Sequence, residues 1–130
     1  MLIMKEKLPP GQKAVKKIVP LHMGSVPKFD PQNWSLTVDG EVEKTLTLKW
    51  NDLLSLPTVV SVSNFHCVEG WSVLGNKWEG VAFKTIVQMV APKNNAKYVF
   101  FTCDDGYSTS LPLVELLDDD VLLAYKLNDQ

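Results

Sequence analysis

The stretch Asn64-Phe65-His66-Cys67-Val68-Glu69-Gly70-Trp71-Ser72 constrains the fold more than any other part of this chain. A β-rich run over 58–65, with Val60 and Val62 two residues apart, leads straight into a thiol, an acid and a glycine. β-Branched and aromatic residues favour an extended strand, and Gly70, with no Cβ, permits a tight turn after it. Cys67 therefore stands at a strand end, beside His66 and near the Glu69 carboxylate, where a metal ligand or a nucleophile is placed. Free cysteine is also among the most buried residue types, so plain packing is the competing reading. A second aromatic–glycine cluster, Trp78-Glu79-Gly80-Val81, follows shortly after.

The flanking sequence supplies short strands and few helices. Residues 1–30 form an extended, proline-rich arm, because Pro9, Pro10, Pro20 and Pro27 break regular structure too often. Residues 1–12 are expected to be a disordered leader, and the apolar residues from Ile18 to Val26 to pack on the domain. Trp34, Leu36 and Val38 alternate with polar residues as a half-buried strand does, and Asp39-Gly40 turns the chain toward a return strand over 42–48. A short helix over 51–56 ends at Pro57, and a second over 83–90 carries Phe83, Ile86, Val87 and Val90 on one face before Pro92. Strands over 98–103 and 107–111 flank the turn Asp104-Asp105-Gly106, and Pro112 opens a brief helix through Leu116. The run 121–127 is apolar on both faces, which predicts a central strand.

Composition excludes several classes. A 130-residue chain with 45% hydrophobic residues can form one domain with a core. A net charge of −2 argues against a nucleic-acid partner, and no apolar run nears the ~20 residues that cross a bilayer, so no membrane partner is expected. Two cysteines do not make a secreted disulfide scaffold, and the N-terminus lacks a signal-peptide pattern, so the cytoplasm is the expected location. All 13 basic residues are lysines, leaving any phosphate contact to lysines or backbone N–H groups. Two cysteines and two histidines without Cys-x-x-Cys spacing do not support zinc, and no nucleophile elbow or phosphate-binding glycine loop occurs.

Five ordered segments carry a family resemblance. They are Pro20-Leu21-His22-Met23-Gly24-Ser25-Val26-Pro27; Trp34-Ser35-Leu36-Thr37-Val38-Asp39-Gly40-Glu41-Val42; the Cys67 stretch with Trp78-Glu79-Gly80-Val81; Asp105-Gly106-Tyr107-Ser108-Thr109-Ser110-Leu111-Pro112; and Val121-Leu122-Leu123-Ala124-Tyr125. Together they resemble the sulfite-oxidase-like molybdopterin-dependent oxidoreductases. The resemblance implies a β-rich α+β domain of the sulfite-oxidase type over 31–130, truncated on its C-terminal side, since the family continues through further pterin-binding stretches. It also implies a molybdenum–molybdopterin cofactor whose metal is bound by the Cys67 thiolate, its other sulfurs coming from the pterin.

The same resemblance distributes the remaining roles. Cys67 and Glu69 are the expected catalytic residues, Glu69 approaching the open side of the metal; a solvated turn carboxylate is the bland alternative. His22, His66, Cys67, Trp71 and Ser72 are the expected cofactor contacts. Leu21-His22-Met23 departs from the Arg-Asn-His of many family members. Neighbouring strand residues face opposite ways, so His66 and Cys67 are not expected to share one ligand set. Cys103 is expected to be inert within its strand, with no cation near it. The implied function is redox or oxygen-atom transfer on a small-molecule substrate, with an unknown electron-transfer partner. A non-catalytic remnant, or a subunit completed by another chain and without cofactor, is the alternative. A terminal apolar strand without a neighbour predicts self-association.

Overall fold

The computed structural model describes residues 8–18 and 26–130. The chain runs β1 (Lys13–Ala14), β2 (Ser35–Val38), β3 (Leu46–Lys49), α1 (Trp50–Ser55), β4 (Thr58–His66), β5 (Trp71–Ala82), α2 (Phe83–Val90), β6 (Tyr98–Thr102), β7 (Ser108–Pro112), a 3-10 turn (Leu113–Leu117) and β8 (Leu122–Leu127). Short strands dominate two small helices, which is the β-rich α+β class expected from the sequence.

The twelve-residue β5 organises the main sheet. β4 lies antiparallel along one edge, from Thr58 opposite Val81 to His66 opposite Ser72. The other edge is shared: β8 pairs antiparallel with Trp78 to Ala82, and β1 pairs parallel with Trp71 and Ser72. Gly80 makes the β8 pairing possible, because a Cβ there would lie 2.7 Å from the Leu123 carbonyl carbon and 2.8 Å from the Ala124 Cα. Two further hairpins, β2–β3 and β6–β7, form separate two-stranded sheets.

Local chemistry sets the helices. The Lys49 backbone N–H donates to the Asp52 carboxylate at 2.9 Å, capping α1, and Pro57 follows its end. In α2, Phe83, Ile86 and Val90 are buried, and the chain leaves through Ala91 in the left-handed region (φ 49°) just before Pro92. The core joins Leu48, Leu53, Val81 and Ile86. Against it, Trp50 meets Phe29, Trp34 and Tyr125 edge-on, with centroids 4.8, 5.3 and 6.0 Å away.

Three expectations need correction. β8 is not central: among the described residues β5 is its one strand neighbour, with Lys126 and Ala124 exposed, because its outward face meets no layer. The leader expected over 1–12 is not free at its end, since Gln12 is hydrogen-bonded into the domain, while 1–7 lie outside the described residues. The return strand is shorter than 42–48, with Val42 making only an isolated bridge to Pro92. The anticipated packing of the arm falls mostly on residues outside the description, and Val26 is 64% exposed.

The end of β8 is clasped to β5. Asn128, in the left-handed region that asparagine tolerates, donates its backbone N–H to the Lys77 carbonyl, and its side-chain oxygen accepts from the Lys77 N–H. The hydrogen bond and charge of Lys77 hold the Asp129 carboxyl below its ordinary range. That depressed value adds stability above the ordinary carboxylate range and loses it as pH falls through the folded value. Solvent reaches both side chains, Asp129 more than Lys77, so salt screens the effect.

Candidate functional site

The Cys67 turn joins β4 to β5 through a three-residue loop, Val68-Glu69-Gly70, closed between Cys67 and Trp71. The Cys67 N–H donates to the Trp71 carbonyl at 2.8 Å, and the Gly70 N–H donates to the Cys67 carbonyl at 3.0 Å. Gly70 has φ +98°, the left-handed glycine of a type I turn with a G1 bulge. A side chain there would also press on the arm, at 3.2 Å from the Gly11 carbonyl oxygen. Both bonds within the turn use the Cys67 backbone, so its side chain is left for other work.

The arm seats this hairpin. The Lys13 N–H donates to the Gly70 carbonyl at 2.8 Å and the Val15 N–H to the Ser72 carbonyl at 2.7 Å. Gln12 reaches farther in: its Nε2 donates to the Cys67 carbonyl at 3.0 Å, and its Oε1 accepts from the Ser72 hydroxyl at 2.7 Å. Ser72 is fully buried, and the same oxygen lies 2.7 Å from His66 Nδ1. Cys67 is 6% exposed under this cover.

The expected site residues separate into two sets. His66, Cys67 and Ser72 are brought together around the turn, His66 exposed and Cys67 buried, as opposite-facing neighbours should be. Glu69 sits at the exposed tip beside Val68, which is 100% exposed. Trp71 is half-buried and stacks on Phe65 with centroids 5.5 Å apart. His22 lies outside the described residues. A cleft of about 870 Å³ between α2 and the β6–β7 hairpin does not include Cys67 and is lined mainly by apolar side chains such as Phe83, Val90 and Phe101.

Two features escaped the sequence reading. Gln12 was one; its partners lie 55 and 60 residues away in the chain, so no local pattern announced it. The other was legible. Cys103-Asp104-Asp105-Gly106-Tyr107-Ser108 repeats the pattern of Cys67-Val68-Glu69-Gly70-Trp71-Ser72, cysteine–x–acid–glycine–aromatic–serine. It folds alike: the Cys103 N–H donates to the Tyr107 carbonyl at 2.8 Å, the Gly106 N–H to the Cys103 carbonyl at 3.0 Å, and Gly106 has φ +89°. The difference is the arm, which covers the first turn. Cys103 stands exposed, contrary to the expectation of an inert strand thiol. Thiol labelling of the folded, metal-free chain will therefore modify Cys103 at least ~10-fold faster than Cys67, since access governs thiol reactivity. Faster labelling at Cys67, read by peptide mass spectrometry, would contradict this burial.

Among the described residues no three histidine, cysteine or acidic side chains cluster in a way that could hold a metal ion. Among the described residues, the protein's donor set at this turn is one thiol with no competing hydrogen bond. Such a set cannot enclose a zinc ion, which takes about four protein ligands in structural sites and three in catalytic ones. It fits a soft metal that arrives with most of its ligands already in place.

Comparison with known proteins agrees. Residues 23–130 match the oxidoreductase molybdopterin binding domain. The chain belongs to that family. It is 36% identical over 125 residues to the uncharacterized oxidoreductase YuiH of Bacillus subtilis, covering 95% of this chain and 63% of that protein. Over 74 residues it is 39% identical to the protein-methionine-sulfoxide reductase catalytic subunit MsrP of Campylobacter jejuni, covering 57% of this chain and 25% of that one. The chain thus spans less than two thirds of the length of these relatives. Its fold matches the sulfane dehydrogenase SoxCD of Paracoccus pantotrophus with a TM-score of 0.71 at 21% identity, over 80% of this chain and 31% of that one. This is the sulfite-oxidase-type fold that the five sequence segments implied.

Proposed function

We propose that this domain binds a molybdenum–molybdopterin cofactor through the Cys67 thiolate and serves redox or oxygen-atom transfer on a small substrate. The observation that carries the reading is the lone buried Cys67 thiol, held at the head of a rigid hairpin whose own hydrogen bonds leave the sulfur free. When bound, the cofactor supplies the electron and oxygen-atom chemistry. Cys67 would hold the metal, and coordination would keep its sulfur deprotonated at neutral pH.

The neighbours divide the remaining work. Glu69 has an exposed carboxylate two residues from the thiolate and can accept or donate a proton on the substrate side. The Trp71 ring, braced by Phe65, offers an apolar wall. His66 and Ser72 order the turn, and His22 remains a cofactor contact by resemblance alone. The two unpaired cysteines support a reducing compartment such as the cytoplasm. No helix among the described residues is long and apolar enough to cross a membrane. Val60 and Val62, 55% and 68% exposed on the edge strand β4, support self-association, which sedimentation at increasing concentration tests.

Elemental analysis of protein produced in a cofactor-making host tests the binding claim: molybdenum should co-purify in proportion to protein, and its absence would remove the reading. In that loaded protein Glu69→Gln should lower kcat by ~100-fold, the lower end of the range for a positioned proton-transfer group, with molybdenum content unchanged. An unaltered kcat would make Glu69 a solvated turn carboxylate.

A further inference from the structure

The arm residue Gln12 does more than fasten the N-terminus. Its carboxamide touches both halves of the site, the Cys67 carbonyl through Nε2 and the Ser72 hydroxyl through Oε1. The direction of every bond in this chain of contacts is fixed by elimination. A backbone carbonyl only accepts, so the atom facing Cys67 must be the amide nitrogen. The amide oxygen is then the atom facing Ser72, and it too only accepts, so the single hydroxyl proton of Ser72 points to Gln12. Ser72 has no proton left for His66. At 2.7 Å the ring nitrogen Nδ1 must carry the proton and donate it to the Ser72 oxygen.

We infer that Gln12 is a positioning residue: through Ser72 it holds neutral His66 as the Nδ1–H tautomer, and through the Cys67 carbonyl it seats the turn that presents the thiol. The consequence for His66 is an unprotonated Nε2, a hydrogen-bond acceptor on an exposed ring beside the Cys67 turn. The consequence for Cys67 is a carbonyl that accepts two bonds, from Gly70 at 3.0 Å and from Gln12 at 3.0 Å, so the residue before the loop cannot rotate without breaking both. Ser72 is fully buried and Gln12 is half-buried, so water does not readily replace either partner. The inference deepens the proposed function, on which it rests only for the purpose of the ordered turn; the proton positions stand on the chain's own contacts.

The test uses the metal-free chain, so its outcome is independent of whether molybdenum binds. Imidazole nitrogen NMR of the neutral ring reads which nitrogen bears the proton. Wild-type His66 should give the Nδ1–H pattern; a dominant Nε2–H pattern would overturn the proposal before any variant is made. In Gln12→Met the Ser72 hydroxyl loses its acceptor and turns to His66, so the tautomer should switch to Nε2–H. Labelling of Cys67 should rise about tenfold, the worth of one lost hydrogen bond. Gln12→Glu keeps an acceptor for Ser72 but has no donor for the Cys67 carbonyl. It should therefore retain the Nδ1–H tautomer while labelling of Cys67 still rises. A tautomer unchanged in Gln12→Met, with amide shifts of β4 and β5 intact, would reduce Gln12 to a packing contact.

Discussion

In the cofactor-loaded protein, Cys67→Ser will reduce turnover by at least ~100-fold, a loss that even the outer hydrogen-bond partners of a metal can cause. The variant should fold normally. The hydrogen bonds that shape the turn run through the Cys67 backbone N–H and carbonyl, not its side chain, and serine occupies nearly the same volume. Its melting temperature should stay within ~4 °C of wild type, in keeping with a change of ~1 kcal/mol. Loss of turnover with stability retained separates a ligand from a packed thiol. A plain core cysteine would give the opposite pattern, with activity kept and stability lowered.

The largest effect on stability is expected from Gly80→Ala. The added methyl would fall within 2.7 Å of the Leu123 carbonyl carbon and 2.8 Å of the Ala124 Cα, and closer still to the Leu123 carbonyl oxygen. These are backbone atoms of β8, so no side-chain rotation relieves the clash. Either β8 leaves β5 or the strands slide, and Val81, fully buried next to Gly80, is drawn out of the core with them. A loss of about 3 kcal/mol follows from overpacking at a site that cannot relax. For a chain of this size the melting temperature should fall by ~10 °C. Gly75→Ala is the control: it meets no atom within 4 Å, and its φ of +67° costs only ~1–2 kcal/mol in left-handed strain. Equal melting temperatures for the two variants would refute the close approach of β8 at Gly80.

What could be read from the sequence, and what could not, follows from the range of the interactions involved. The 83–90 helix was legible because Phe83, Ile86, Val87 and Val90 repeat at helical spacing and Pro92 marks the end, and the structure has α2 at Phe83–Val90. The Cys67 turn was legible for the same reason: a β-branched run and one glycine settle it locally. β5 was not, because Gly75 and Gly80 interrupt its pattern and both of its edges carry partners, so its burial has no simple period of two. The apolar composition of β8 suggested two covered faces, but composition cannot tell how many strands lie beside one another. Gln12 sat in a stretch, Pro9-Pro10-Gly11-Gln12, whose local chemistry signals an irregular leader. Only the folded chain brings it to Ser72, and with it the hydrogen bonds that order the site.

The central claim is that Cys67 is the protein's ligand to molybdenum, and X-ray absorption at the molybdenum edge measures it most directly. In the loaded wild-type protein the metal should show a sulfur shell that includes the thiolate, and in Cys67→Ser that shell should lose one scatterer or the metal should be absent altogether. Full molybdenum occupancy in Cys67→Ser with an unchanged sulfur shell would contradict the account.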